Sequence, residues 1–240
     1  MTMEISIVRR VLEKNDAAAD QNRALFNRSG ITCVNLLGGA GCGKTALLEA
    51  LLPRLRAQVR IGVLEGDLAT TLDAQRIADL SVPAVQLLTD TGCHLTAAHV
   101  QKALKSLDLN EIDLLVIENV GNPICPANFD LGEHIRLAAL SVSEGDDKPV
   151  KYPLLFRQAD LVTLTKCDLL PYVRFDLARV HRDLGALNPA AAIIETSATT
   201  GRGIDILADW LQNRLESSGR SQRAKSRPGP VHSALLETKS

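Results

Sequence analysis

Aromatic side chains are scarce in this 240-residue chain, at 3%, with four phenylalanines, two tyrosines and one tryptophan. So few rings leave little for stacking along the bases of a nucleic acid. Neither sign of charge dominates, since 27 Lys and Arg stand against 28 Asp and Glu for a formal charge of -1. A broad attraction to polyanions or lipid surfaces is therefore not expected. No apolar run approaches the roughly 18 residues of a spanning helix, and the mixed, charged N-terminus lacks the apolar stretch of a signal peptide. These absences read as a cytoplasmic protein with no nucleic-acid and no membrane partner. Cysteine is also sparse and odd in number, at five, which argues against a disulfide framework and for thiols free to bind metal.

Hydrophobic residues at 45% and charged residues at 23% form an ordinary globular balance, enough for one full core. Short apolar runs begin at Ile31, Ile61, Ala84, Leu114, Leu137, Leu161 and Ala192, with helix-length segments between them. This alternation predicts an α/β fold, a mostly parallel sheet of about seven strands with helices on both faces. Residues 1–29 read as an N-terminal helical arm, with Ile5, Val8, Val11 and Leu12 at helical spacing. Residues 30–216 form the main domain. Residues 217–240 are polar and basic, broken by Arg227-Pro228-Gly229-Pro230, and read as a disordered tail.

The first apolar run leads into Gly38-Gly39-Ala40-Gly41-Cys42-Gly43-Lys44-Thr45, which fits G-x-x-x-x-G-K-[ST]. Placed between a buried strand and a helix N-terminus, such a loop wraps an anion in backbone N–H groups. The fold class is therefore a P-loop NTPase. Lys44 would reach the terminal phosphates and the Thr45 hydroxyl would ligate Mg²⁺, while Cys42 reads as a small residue tolerated by the loop or as a reactive thiol.

The base reader should lie at the end of a later strand. Thr165-Lys166-Cys167-Asp168 resembles the Asn-Lys-x-Asp motif of GTPases, in which the carboxylate accepts two hydrogen bonds from guanine and the lysine stem covers the ring. Thr165 stands where asparagine is usual, a change expected to remove about 1 kcal/mol of loop bracing. Ser197-Ala198 resembles the loop that completes guanine binding. Glu118, with Gly121 three residues later, can hold Mg²⁺ through water while the Gly121 N–H senses the γ-phosphate. Asp67 is the preferred direct or outer Mg²⁺ group, and Asp73 a further switch residue. Lys44, Asp67 and Glu118 are thus the candidate catalytic groups. With no arginine finger or positioned glutamine identified, slow intrinsic turnover is expected.

Cys93-His94 and Cys125 form a second constellation. Thiolate with imidazole suits Ni²⁺ or Zn²⁺, and three soft ligands per chain leave a tetrahedral shell for water or a second protomer to complete.

Taken together, these stretches resemble the nickel-inserting GTPases of hydrogenase maturation, the HypB family. The resemblance runs from about Ile31 to Leu215 and includes Glu65-Gly66-Asp67, Gly92-Cys93-His94-Leu95, Glu118 to Asn122 with Cys125-Pro126, Ser143 to Pro149 and Lys151-Tyr152-Pro153. It implies a nucleotide- and metal-dependent homodimer that uses GTP and Mg²⁺. It also implies a metal site at Cys93, His94 and Cys125 that supplies nickel to a hydrogenase large-subunit precursor, alongside other nickel-delivery proteins. Neither the histidine-rich stretch nor the short cysteine-rich N-terminal motif of some members is present, so nickel storage is not expected. Competing readings are a urease-accessory-like nickel GTPase, whose Cys-Pro-His motif is missing, a regulatory GTP switch with structural cysteines, and a small-molecule kinase.

Overall fold

The computed structural model describes residues 2–67, 72–88 and 94–217. Seven parallel strands form one sheet in the order β3-β2-β4-β1-β5-β6-β7. They are β1 Thr32–Gly38, β2 Ile61–Asp67, β3 Ala84–Leu88, β4 Leu114–Glu118, β5 Ile135–Ser141, β6 Leu161–Thr165 and β7 Ala192–Glu195. The helices are α1 Thr2–Ser29, α2 Lys44–Leu55, α3 Leu72–Ala78, α4 Ala97–Leu104, α5 Lys148–Lys151, α6 Pro153–Arg157, α7 Leu177–Leu187 and α8 Ile204–Ser217. No described helix is long and apolar enough to cross a membrane.

A strand buried on both faces must be apolar at successive positions, and every residue of β1, β4 and β6 is buried. The period of two then sorts them: Val34 and Leu36 pack under α2 and α8, whereas Cys33 joins the core beneath α1 and α4. Leu37 joins a third cluster with Phe156 of α6 and Val180 and Leu184 of α7. At about 1.5–3 kcal/mol per fully buried large aliphatic side chain, this two-sided burial holds the sheet and fixes its register. β5 begins two residues earlier than the apolar run at Leu137 suggested. Arg136 interrupts the run in sequence but stays in the strand, because its guanidinium is satisfied by Glu133 at 2.6 Å.

Along α1 the side chains of Ile5 and Val8 lie outside the described residues, Leu12 is half-buried, and the buried stripe continues from it in helical register. Val11 is 50% exposed, and the buried positions are Asn15, Ala19, Asn22 and Phe26, spaced four, three and four apart. Two of the four are polar, so hydrophobicity alone could not reveal them. Of the expected tail, 217–240, Ser217 is the last residue of α8 and residues 218–240 lie outside the described residues.

Candidate functional site

At the carboxyl end of the central strand β1, the loop Gly39 to Gly43 turns the chain into α2. Gly43 caps that helix in a left-handed conformation, φ 89°, with no side-chain cap. A side chain is disfavoured in that conformation, and the first amides of α2 are left for an anion. Lys44 lies buried with its Nζ on the Gly39 carbonyl at 3.3 Å. Thr45 donates to Glu118 Oε1 at 2.8 Å, joining the start of α2 to the end of β4. Gly121 backs against the loop so closely that a Cβ there would sit 2.8 Å from Ala40 Cα.

These groups surround a cavity of about 340 Å³ lined by Ala40, Gly41, Gly43, Lys44, Thr45, Glu118 and Gly121, and also by Glu65 and Arg76. Arg76 was missed in the sequence, and Glu65 was noted there only within Glu65-Gly66-Asp67, with Asp67 preferred. Glu65 pairs in register with Glu118 across β2 and β4 and is buried, so it lies on the same face of the sheet as the carboxylate that meets Thr45. The preferred Asp67 stands two residues on at the tip of β2; its side chain, and that of Asp73, lie outside the described set. Arg76 of α3 is held by Glu49 at 2.6 Å on the cavity rim. Glu144 is a further neighbour: a Cβ on Gly39 would lie 2.3 Å from its Oε1, which gives the Ser143 to Pro149 stretch a place beside the phosphate loop.

A second cavity of about 200 Å³ shares Gly43 and Ala46 with the first and is walled by Thr165, Lys166, Asp168, Thr196, Ala198 and Thr199. The two cavities therefore meet across the start of α2, as the expected phosphate and base compartments would. Ser197 is not on that wall; it is fully buried, and its Oγ accepts from the Thr200 N–H at 3.2 Å to hold the loop. Thr165, expected to brace the loop less well than asparagine, keeps one direct brace. Its Oγ1 donates to the Cys42 carbonyl at 2.5 Å, and Lys166 Nζ donates to the Gly41 carbonyl at 2.7 Å. A short hydroxyl reaches the loop because β6 ends next to it. Cys42 itself is fully buried, and burial pushes its thiol up to about 11, so it is not a thiolate near neutral pH.

Of the metal candidates, Cys93 lies outside the described residues. His94 precedes α4, and Cys125 opens the 3₁₀ turn Pro126–Asn128. Phe129, another residue the sequence did not flag, ends that turn, and its ring stacks on the His94 imidazole with centroids 3.9 Å apart and planes at 24°. Burial, then the neighbouring His99, hold the His94 pKa below the ordinary value, favouring the neutral imidazole that a metal needs. Among the described residues no cluster of three or more His, Cys, Asp or Glu is positioned to hold an ion.

A parallel sheet with an anion-wrapping loop at the end of β1, a lysine and threonine opening α2 and a second compartment beside it defines a P-loop nucleotide-binding protein. A model of the CobW/HypB/UreG nucleotide-binding domain matches residues 32–195, and the chain belongs to this family. It is 46% identical over 204 residues to the hydrogenase maturation factor HypB of Escherichia coli K12, covering 85% of this chain and 70% of that one. HypB from Archaeoglobus fulgidus superposes with a TM-score of 0.80 at 39% identity, over 85% of this chain and 100% of that one. HypB from Helicobacter pylori, solved in complex with nickel, gives 0.82 at 34% identity, over 85% and 96%.

Proposed function

We propose that this chain is a GTP-hydrolysing metallochaperone. It binds nickel, or zinc, through Cys93, His94 and Cys125 at a dimer interface and assists nickel insertion into a hydrogenase precursor in the cytoplasm. The observation that carries the reading is the adjacency of two chemistries. Glu118 holds Thr45 at the nucleotide cavity, and only seven residues later Cys125 opens the turn whose Phe129 supports His94. The likeness to hydrogenase maturation factors and to a nickel complex supports it.

In this reading the amides of Gly39 to Thr45 wrap the phosphates. Lys44 leaves the Gly39 carbonyl for the terminal oxygens, and Gly121 presents its N–H to the γ-phosphate. Asp168 reads guanine, each hydrogen bond to its carboxylate contributing about 1.5–3 kcal/mol, and Lys166 covers the ring. The hard oxygen set of Thr45 with Glu118 or Asp67 fits Mg²⁺, which supplies neutralisation of phosphate charge. Ser197 braces the base loop, and Ala198 walls it.

Coupling to the cargo is short-range. The segment from Val120 to Ile124 is a tight turn, with Asn122 N–H on the Val120 carbonyl at 2.7 Å and Ile124 N–H on Asn122 Oδ1 at 2.9 Å. Motion of Gly121 is thus transmitted to Cys125. Three ligands per chain leave a shell that a second protomer completes, so nucleotide and metal together favour the homodimer.

The deciding experiment is equilibrium dialysis with Ni²⁺ and Zn²⁺ on wild type and Cys125→Ala, with a GTP analogue and with GDP, beside a phosphate-release assay. Near-stoichiometric, nucleotide-sensitive metal binding lost in the variant is expected. GTP cleavage with no metal site would leave a regulatory switch, and equal metal affinity in both nucleotide states would remove the coupling.

A further inference from the structure

We propose that Asn15 and Asn22 of α1 are positioning residues for the metal site. This rests on the reading that His94 and Cys125 hold the ion. Each asparagine bonds to both segments that carry a ligand. Asn15 Oδ1 accepts from the Ala97 N–H at 2.9 Å while its Nδ2 donates to the Asp130 carbonyl at 2.7 Å. Asn22 Nδ2 donates to the carbonyls of Ala97 and Leu131, both at 2.9 Å.

Ala97 lies three residues after His94, and the stretch between them is stiff. Leu95 is fully buried, and Thr96 forms a reciprocal cap with His99. Asp130 follows Phe129 directly. The turn from Cys125 to Phe129 is closed by Asn128 N–H on the Cys125 carbonyl at 3.1 Å and Phe129 N–H on the Pro126 carbonyl at 3.2 Å. Between the two asparagines the 130–132 strand of chain lies hard against α1, since a Cβ on Gly132, at φ +89°, would meet the Ala19 carbonyl oxygen at 2.6 Å.

The clamp therefore fixes the separation of two loops, and the stack of His94 on Phe129 fixes the plane of the imidazole. A ring nitrogen offers its lone pair in that plane, so holding the plane aims the ligand. Desolvated amides at 1% and 6% exposure are costly unless hydrogen-bonded, and an apolar stripe would have served mere packing. Coordination tolerates displacements of only about half an ångström, which makes outer supports decisive. α1 precedes the residues matched by the family model, which begin at 32.

The test measures Ni²⁺ and GDP affinities, the melting temperature and the nickel–thiolate absorption band for the full chain. Variants are Asn22→Ala, Asn15→Asp, which keeps the acceptor for Ala97 and loses the donor to Asp130, and Phe129→Leu, with Cys125→Ala as the ligand control. Supporting results are nickel affinity about tenfold or more weaker in all three with an altered band, and GDP affinity within about twofold of wild type. Should Asn22→Ala fail to fold, Asn15→Asp and Phe129→Leu decide. The proposal is overturned if nickel affinity is unchanged in them while Cys125→Ala loses the ion. It is equally overturned if nickel and GDP affinities fall in step with stability, the mark of a structural helix only. A wild type that binds no nickel would instead remove the metal site itself.

Discussion

Replacing Thr165 with valine keeps the shape of a fully packed strand end and removes one hydroxyl. That hydroxyl donates to the Cys42 carbonyl at 2.5 Å in a buried setting. Its loss forfeits one hydrogen bond and strands a carbonyl acceptor away from water, together about 1–3 kcal/mol. In the nucleotide-free protein the loop can open slightly and let water reach Cys42. Bound nucleotide requires the loop closed, so the larger share of the cost falls on binding. A share of about 1.4 kcal/mol is a tenfold loss in affinity. Titration of a fluorescent GDP into wild type and Thr165→Val, with melting curves on both, measures the two shares. Affinity within about twofold of wild type with an unchanged melting temperature would refute the bracing role, since the missing energy would then appear nowhere.

Gly121→Ala should lower GDP and GTP affinity by more than about tenfold with circular dichroism unchanged, because the new methyl, 2.8 Å from Ala40 Cα, displaces the loop rather than the core. Asp168→Ala should cut the preference for GTP over ATP by about a hundredfold in competition binding, the loss of two bonds to a charged acceptor. Cys42 should resist alkylation in the native protein at pH 8. Its pKa, raised by burial to about 11, keeps it protonated until the medium approaches that value, whereas the partly exposed Cys125 should label, as read by peptide mass spectrometry.

The sheet was legible because parallel strands covered on both faces must be written as continuous apolar runs, and Ile61 to Leu64 or Leu161 to Leu164 have no other use. The phosphate loop was legible because its glycines and lysine are adjacent in the chain. What stayed hidden is held by contacts distant in sequence. Thr165 meets Cys42 across 123 residues, and Asn22 meets Leu131 across 109. That Thr165 still braces the loop could not be read while its partner, the Cys42 carbonyl, was unknown. The continuation of the α1 stripe past Leu12 was not read, because amides that satisfy a neighbour's backbone are buried as firmly as leucines. Glu65 was passed over for Asp67 because the alternation of a strand cannot say how far from its tip the phosphates sit. Phe129 carries no signal in sequence, being one aromatic four residues from a cysteine.

The ties from Thr165 and Lys166 to the carbonyls of Cys42 and Gly41 make the rim of one compartment and the floor of the other a single piece of backbone. A misfitting purine that pushed the 165–168 turn outward would drag those carbonyls with it and tilt the amides beside them. Discrimination between bases is then registered a whole nucleotide away from the ring, where the phosphates are cradled.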